Sequence, residues 1–215
     1  MEARLRRGFF AVLSVFTAAV GLLLLAFLVG DAQLFMLINL GLANPALDIT
    51  CAYMVPGLYG LSLLLSLVRR GLSGRSGRAA CITSLISGPL AYGLGSIMKV
   101  WVGRPRPFEA LPARVVGPWH TSTFSFPSTT TMLVFGFALP ILYENVRDGA
   151  APTILAFLTG FSVIYTGFHY PTDVAAAILL TQAITLSINR WLKPQITITL
   201  QSAARHLALN RSFPH

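Results

Sequence analysis

Six long apolar runs constrain the fold of this 215-residue chain more than any other feature of its sequence. Each run has about the 20 residues that an α-helix needs to cross a bilayer. In lipid every backbone polar group must be paired internally, which a continuous apolar run achieves as a helix, whereas membrane barrels show short alternating segments. We therefore predict an all-α polytopic membrane protein, with six transmembrane helices in a single bundle over residues 1–215. The predicted spans are residues 8–30, 49–68, 79–100, 129–146, 151–168 and 172–191, followed by a short cytoplasmic tail at 194–215.

The composition excludes an ordinary soluble domain and argues against a nucleic-acid partner. Apolar residues make up 54% of the chain and charged residues 11%, against roughly 25% charged residues in soluble domains. The net charge of +9 comes from short basic blocks beside the apolar runs and not from a polar helix face, so we predict no binding to nucleic acid. Cys51 and Cys81 lack metal or redox spacing, and the seven acidic residues are spread along the chain. We therefore predict no metal and no other cofactor.

The distribution of basic residues predicts the orientation of the bundle, because cytoplasmic loops carry an excess of lysine and arginine. In a six-span arrangement both termini and the loop between the second and third runs fall on one side. That side is predicted to be cytoplasmic because it carries Arg4, Arg6, Arg7, Arg69, Arg70, Arg75, Arg78, Arg190, Lys193, Arg205 and Arg211. The long loop at 101–127 falls on the other side although it contains Arg104, Arg106 and Arg114. Arginines on the extracytoplasmic side run against the charge bias, so we expect them to have a structural or functional role.

Two further segments complete the topology. The first apolar run is too long for the core of a secretory signal and is followed by more spans, so we predict that it is retained as a helix. Residues 31–50 connect the first two spans on the extracytoplasmic side, and their apolar pattern predicts a short amphipathic helix in the membrane interface.

A pair of cations ends the third run. Lys99, one of only two lysines in the chain, is followed seven residues later by Arg106. A charge at the edge of an apolar helix is costly unless it has a partner or a task. The two cations suit a phosphate group, because arginine donates through a bidentate fork and lysine acts as a point charge. The alternative for Lys99 is an anchor that extends its ammonium group to the lipid headgroups.

Two more polar segments fall on the same side of the membrane. Ser128 opens the hydroxyl-rich start of the fourth run, where it either caps the helix or binds an anion together with the free N–H groups. His169 lies between the fifth and sixth runs, and Asp173 follows four residues later, near the start of the sixth run. The carboxylate can hold one imidazole nitrogen and leave the other as a nucleophile or base. Three segments that are distant in sequence are thus predicted to meet at one face.

Together these segments resemble the type 2 phosphatidic acid phosphatase family, which shares its core with the vanadium haloperoxidases and carries the pattern K-x6-R-P, P-S-G-H and S-R-x5-H-x3-D. The six-span layout and residues 31–48 resemble the family as well, so the resemblance covers most of the chain. It implies that His169 attacks phosphorus to form a phosphohistidine, that Asp173 orients His169, and that Ser162 matches the serine of the third motif. It also implies that phosphoryl oxygens are bound by Lys99, Arg106, Ser128 and Thr129.

Three positions depart from the family pattern, the first being Thr129, which stands where the second motif has glycine. Thr130 stands where the family has its general-acid histidine, a role worth typically 10²- to 10⁴-fold in rate. Val163 stands where the family has an arginine that stabilises phosphoryl charge, and loss of such a donor costs on the order of 10²- to 10³-fold. Arg104 and His120 are candidate replacements for the missing charge and the missing proton. The alternatives are an arginine near the headgroups and a solvated histidine.

The sequence therefore predicts an integral membrane lipid phosphatase, or a phosphotransferase, whose site faces outward from a bacterial plasma membrane. A lipid phosphate or polyprenyl diphosphate is the predicted substrate, with membrane lipids as the other partners. A diphosphate is favoured, because a departing phosphate monoester of low pKa depends least on a general acid. The alternative is a noncatalytic relative that binds or moves phospholipid headgroups, which explains Thr130 and Val163 directly. A haloperoxidase of the soluble type fits least well, because membrane embedding and the missing acid both argue against it.

Overall fold

The computed structural model describes residues 2–118 and 124–212, with side chains from 8 to 204, and the secondary structure in these ranges is helical. A π-helical turn, Thr50–Met54, separates α3 from α4. The α-helices are α1 Glu2–Val29, α2 Asp31–Asn39, α3 Pro45–Ile49, α4 Val55–Leu72, α5 Arg75–Val102, α6 Pro107–Ala110, α7 Thr129–Glu144, α8 Val146–Tyr165 and α9 Pro171–Ser212.

Five helical stretches within the described residues are long and apolar enough to cross a membrane, and they make this chain an integral membrane protein. The fourth predicted run is instead the apolar helix α7, which has 16 residues and is about 24 Å long at 1.5 Å per residue. The count of six transmembrane helices therefore stays a prediction. The five full-length stretches are Gly8–Val29, Pro45–Leu72, Arg75–Ala110, Val146–Tyr165 and Pro171–Ala204.

Helix α7 lies at the centre of the bundle, where it packs against α1, α4, α5, α8 and α9. Its side chains Phe135 and Leu139 are fully buried in the main hydrophobic core. The backbones of α5 and α7 meet at two glycines, since a methyl group added to Gly136 would lie 2.7 Å from Cα of Gly88. Small residues at such crossings let membrane helices approach closely enough for good van der Waals packing. A helix that is enclosed in this way needs no lipid-facing surface of full membrane thickness.

Two helix boundaries differ from the predicted ones. The loop expected after residue 146 is helical, because Asn145 alone separates α7 from α8 and its side chain caps α8 by accepting the N–H of Arg147 at 3.0 Å. Helix α9 continues through Pro194 to Ser212, where the sequence predicted a short tail. A proline removes one backbone hydrogen bond, and the chain from 195 to 212 contains neither glycine nor another proline that would end the helix.

The connections that follow α5 and α8, together with α2, build one end of the bundle, which we call the site end. A short helix is confirmed within residues 31–50 as α2, with Leu34 and Phe35 buried and Leu37 exposed, and its place in the membrane interface stays a prediction. The two connections are joined where the N–H of Val116 donates to the carbonyl of Thr166 at 3.1 Å. These contacts hold otherwise irregular backbone against the ends of the helices.

Candidate active site

His169 is presented by a tight turn between α8 and α9. The N–H groups of Phe168 and His169 both donate to the carbonyl of Val163, at 3.1 Å each. Gly167 has a φ of +96°, a left-handed conformation that glycine adopts without the steric cost of a side chain. The turn therefore fixes the backbone of His169 relative to the end of α8.

Asp173, in the first turn of α9, faces the imidazole of His169. Its Oδ2 lies 3.6 Å from Nδ1 of His169, just beyond hydrogen-bond distance, and accepts the N–H of Tyr170 at 2.9 Å. Both side chains are buried, with 3% of His169 and 0% of Asp173 exposed. Because Nδ1 is directed at the carboxylate, Nε2 is the nitrogen left for chemistry. Catalytic hydrogen bonds are often long without substrate, so 3.6 Å is compatible with a working pair.

Burial lowers the pKa of His169 from 6.5 to about 4, and the positive charges of Lys99 and Arg106 act in the same direction. The carboxylate of Asp173 opposes them and raises the pKa, but burial dominates. The imidazole is therefore neutral at neutral pH, which is the form that can act as a nucleophile.

The two predicted phosphate-binding cations lie beside this pair and are almost fully buried, each 4% exposed. Lys99, in the last turn of α5, donates to the carbonyls of Phe124 and Ser125, the latter at 3.3 Å. Nη1 of Arg106 donates at 2.9 Å to the carbonyl of Phe168, the residue before His169. The structure thus brings the segments after α5 and α8 together, as the topology predicted.

The start of α7 completes the cluster. Ser128 is buried and caps the helix, since its Oγ accepts the hydroxyl of Thr131 at 2.9 Å and the N–H of Thr131 at 3.4 Å. The N–H of Ser128 donates to the carbonyl of Asp173 at 3.2 Å, which holds the starts of α7 and α9 together. Thr129 is half-buried and Thr130 is exposed. The helix-cap interpretation of Ser128 is confirmed, and its anion-binding role stays a prediction.

The structure places Arg104 against carboxylates. Its Nη1 lies 2.6 Å from Oδ1 of Asp173, and its Nη2 lies 2.7 Å from Oδ2 of Asp31. The guanidinium also lies over the ring of Tyr170, 3.9 Å from the centroid. Arg104 therefore contacts the acid beside His169, and a role in replacing the charge absent at Val163 stays a prediction.

Within the described residues, Ser162 and Val163 do not point their side chains into the cluster. The hydroxyl of Ser162 donates to the carbonyl of Leu158 at 2.8 Å, within its own helix. The side chain of Val163 packs against the hydrophobic core, while its carbonyl closes the turn described above. His120 falls in 119–123, outside the described residues.

Asp31 and Thr172 extend the cluster to α2 and were not predicted from the sequence as site residues. Oδ1 of Asp31 accepts the N–H of Thr172 at 3.0 Å, and the hydroxyl of Thr172 donates to the same carboxylate. A usable signal existed, because Asp31 is one of only seven acidic residues and stands directly after an apolar run. Acids at the edge of a membrane helix have functional partners often enough to be examined.

A second polar cluster at the site end accounts for Arg114. Its Nη2 lies 2.6 Å from Oδ2 of Asp48, whose Oδ1 accepts the hydroxyl of Tyr165 at 2.6 Å. The side chain of Asn39 donates to the carbonyls of Arg114 and Tyr165, at 2.9 and 2.7 Å. This cluster fastens the long connection after α5 to α2, α3 and α8, which is a structural reason for a cation against the charge bias.

An all-helical membrane bundle with a buried His–Asp pair beside clustered cations has the attributes of a phosphoryl-transfer protein. The PAP2 superfamily model matches residues 79–196, more than half of the chain, and the chain belongs to that superfamily. The "Bacitracin transport permease protein BcrC" of Bacillus licheniformis is 32% identical over 158 residues, which are 74% of this chain and 75% of that protein. The "Undecaprenyl-diphosphatase BcrC" of Bacillus subtilis (strain 168) is 32% identical over 100 residues, 45% of this chain and 51% of that protein.

Two crystal structures resemble the fold. Aquifex aeolicus LpxE superposes with a TM-score of 0.60 at 26% identity, over 75% of this chain and 95% of that chain. A PAP2-type phosphatidylglycerolphosphate phosphatase from Bacillus subtilis superposes with a TM-score of 0.56 at 19% identity, over 86% of this chain and 97% of that chain. At 19% identity the second likeness concerns the fold alone.

Proposed function

We propose that this protein is a membrane lipid phosphatase that hydrolyses a polyprenyl diphosphate through a phosphohistidine formed on His169. The observation that carries this proposal is the buried, neutral His169 held between Asp173 and the cations Lys99 and Arg106. Relatives described as undecaprenyl-diphosphatases, from Bacillus subtilis and from Sulfolobus acidocaldarius, support a diphosphate substrate.

In the first step Nε2 of His169 attacks the terminal phosphorus. The N–P bond forms and the bond from phosphorus to the bridging oxygen breaks, so the electron pair leaves on the lipid monophosphate. Asp173 stabilises the positive charge on the imidazole, while Lys99, Arg106 and Ser128 stabilise the phosphoryl oxygens. An entering phosphoryl group takes over contacts that the ammonium of Lys99 makes with backbone carbonyls.

In the second step water attacks the phosphorus of the phosphohistidine and the N–P bond breaks. Inorganic phosphate leaves, and the imidazole returns to its neutral form. The same intermediate would serve a phosphotransferase if a hydroxyl compound replaced the water.

The substrate preference follows from what stands in place of the family's general acid. Thr130 is exposed at the start of α7 and has no acidic proton to give. A phosphate monoester is a stable leaving group without protonation, whereas the alkoxide released from phosphatidic acid requires a proton. The protein therefore prefers a diphosphate lipid to phosphatidic acid.

The proposed topology keeps all six spans, with α7 as the short fourth span and residues 1–215 as one domain. The site end faces the extracytoplasmic side of a bacterial plasma membrane, and both termini are cytoplasmic. The basic residues Arg69, Arg70 and Lys193 at the opposite end support this orientation.

The test compares purified wild-type protein with His169→Ala on undecaprenyl diphosphate, undecaprenyl phosphate and phosphatidic acid in detergent micelles. We expect the wild type to release phosphate fastest from the diphosphate and His169→Ala to fall to background, because the attacking atom is gone. His206→Ala, far along α9, is the matched control and should retain wild-type turnover. Wild-type and His169→Ala rates that are equal on all three lipids would end the enzyme proposal, and faster hydrolysis of phosphatidic acid would contradict the substrate.

A noncatalytic lipid-binding protein is the second candidate, favoured by the exposed Thr130 and by the packing of Val163 in the core. Binding of a fluorescent diphosphate lipid that is equal in the wild type and His169→Ala, without turnover in either, would favour this candidate.

A further inference from the structure

The two oxygens of the Asp173 carboxylate have different partners. Oδ1 accepts from Arg104 at 2.6 Å, whereas Oδ2 accepts the N–H of Tyr170 and faces Nδ1 of His169. The carboxylate is fully buried, and a buried charge is stable only when it is paired and hydrogen-bonded. Arg104 therefore occupies one oxygen and leaves the other directed at the imidazole.

Arg104 is itself held on several sides. Its second terminal nitrogen binds Asp31 at 2.7 Å, and its Nη1 also donates to the hydroxyl of Thr172 at 2.8 Å. Its carbonyl accepts the N–H of Ser125 at 2.8 Å, which fixes the backbone. The planar, forked guanidinium of arginine can bridge two carboxylates at once. The compact ammonium of lysine cannot reproduce that geometry.

We propose that Arg104, held in place by Asp31, is the positioning residue of the His169–Asp173 pair. It acts through Asp173 and does not bind the phosphoryl group. With Oδ1 occupied, Oδ2 is free to accept a hydrogen bond from the Nδ1–H group of His169, so Nε2 keeps the lone pair that attacks phosphorus. The inference rests on the proposed function, since the orientation of His169 affects turnover only if His169 is the nucleophile.

Asp31 also links Arg104 to the hydrophobic core. It is the first residue of α2, and Phe35 on the same helix is fully buried in the main core. The contact from Asp31 to Arg104 therefore connects a packed helix to the carboxylate that orients the nucleophile.

The kinetic test uses Arg104→Gln, Arg104→Lys and Asp31→Asn. Arg104→Gln should lower kcat about 10²-fold, the effect of a catalytic group misplaced by about 1 Å. The KM for the diphosphate lipid and the inhibition constant of inorganic phosphate should change little, because Arg104 does not touch the phosphoryl group. Arg104→Lys should restore part of kcat, and it keeps the test open if Arg104→Gln does not fold.

The matched control is Arg114→Gln. Arg114 also forms a 2.6 Å ion pair at the site end, with Asp48, and its side chain is 33% exposed against 28% for Arg104. Its partner acid does not face His169. A kcat loss in Arg114→Gln as large as that in Arg104→Gln would show a merely structural role and would overturn the proposal.

A second readout is independent of turnover. NMR titration of ring-labelled histidine should show the pKa of His169 rising by roughly half a unit or more in Arg104→Gln, because the positive charge that offsets the Asp173 carboxylate is then removed. In Asp31→Asn it should fall, because Arg104 then binds Asp173 more tightly. Lys99 and Arg106, which also act on His169, stay the same in both variants.

The outcomes separate the two proposals. If the pKa of His169 changes in opposite directions in the two variants but the wild type shows no turnover, the positioning role is sustained and the proposed function fails. Normal wild-type turnover with an unchanged His169 titration in both variants would overturn the positioning role alone. A much weaker inhibition by phosphate in Arg104→Gln, with kcat intact, would assign Arg104 to the phosphoryl group and would also overturn it.

Discussion

The turn that presents His169 should fail when Gly167 is replaced by alanine. Gly167 has a φ of +96°, and a Cβ added there would lie 2.2 Å from the carbonyl oxygen of Arg114. That contact is with backbone, so no flexible side chain can move aside. Alanine at this position therefore strains its own backbone and pushes the connection after α5 away from α8.

The cost has three parts. A left-handed conformation costs an L-residue roughly 1–2 kcal/mol. Moving the carbonyl of Arg114 by about 1 Å also breaks its 2.9 Å hydrogen bond from Asn39, worth about 1 kcal/mol. The residual clash adds a smaller amount, so Gly167→Ala should lose about 2–3 kcal/mol of unfolding free energy. His169 lies two residues further on, and its displacement by about 1 Å should lower turnover on the order of 10²-fold.

The assay is equilibrium unfolding in mixed micelles, followed by tryptophan fluorescence, with turnover measured on the same samples. Gly93→Ala is the matched control, because nothing lies within 4 Å of a Cβ added to Gly93 inside α5. That change should leave stability unchanged or raise it by up to about 1 kcal/mol, owing to the better helix propensity of alanine. If Gly167→Ala had the same unfolding free energy as Gly93→Ala and kept wild-type turnover, the turn would not constrain His169 and the reasoning would be wrong.

Three further predictions concern other parts of the molecule. Because burial lowers the pKa of His169 to about 4, the unfolded chain takes up this proton first, so stability should fall by up to roughly 3 kcal/mol between pH 6.5 and 4. His169→Ala should lack this loss of unfolding free energy, and a pH dependence as steep as that of the wild type would refute the prediction. Gly136→Val should destabilise by about 1–3 kcal/mol or more by forcing α5 from α7 at Gly88, and an unchanged melting temperature would contradict that. Thr130→His should speed hydrolysis of phosphatidic acid more than that of a diphosphate by restoring an acid; equal acceleration would count against the leaving-group argument.

Hydropathy predicted the helices well because long apolar runs have few alternatives in a membrane. It could not find the division at Asn145, since that boundary depends on a side chain that caps α8. Nor could it show that the last helix continues to Ser212, because Pro194 and the polar residues around it look like a helix end. Boundaries that rest on single hydrogen bonds have no periodic signal.

The site was partly predictable for a related reason. Topology alone brings Lys99, Ser128 and His169 to one end, because each directly precedes or follows an apolar run on the same side. The contact of Thr172 with Asp31 joins residues 141 positions apart, and no local pattern announces it. Arg104 and Arg106 likewise stand two apart in one short connection, and only the positions of the acids distinguish their partners.

The backbone and the side chain of Val163 have separate roles. Its backbone carbonyl closes the turn before His169 by accepting two N–H groups, and any residue type supplies a carbonyl. Its apolar side chain packs against the core, where the family pattern has an arginine, and the turn before His169 is formed all the same. Thr130, exposed on another helix, removes proton donation and is equally separate from the turn. Under the proposed mechanism, both replacements withdraw help for a poor leaving group and leave the attack by His169 in place. A substrate whose leaving group is already stable, such as a lipid diphosphate, would then be the one least affected.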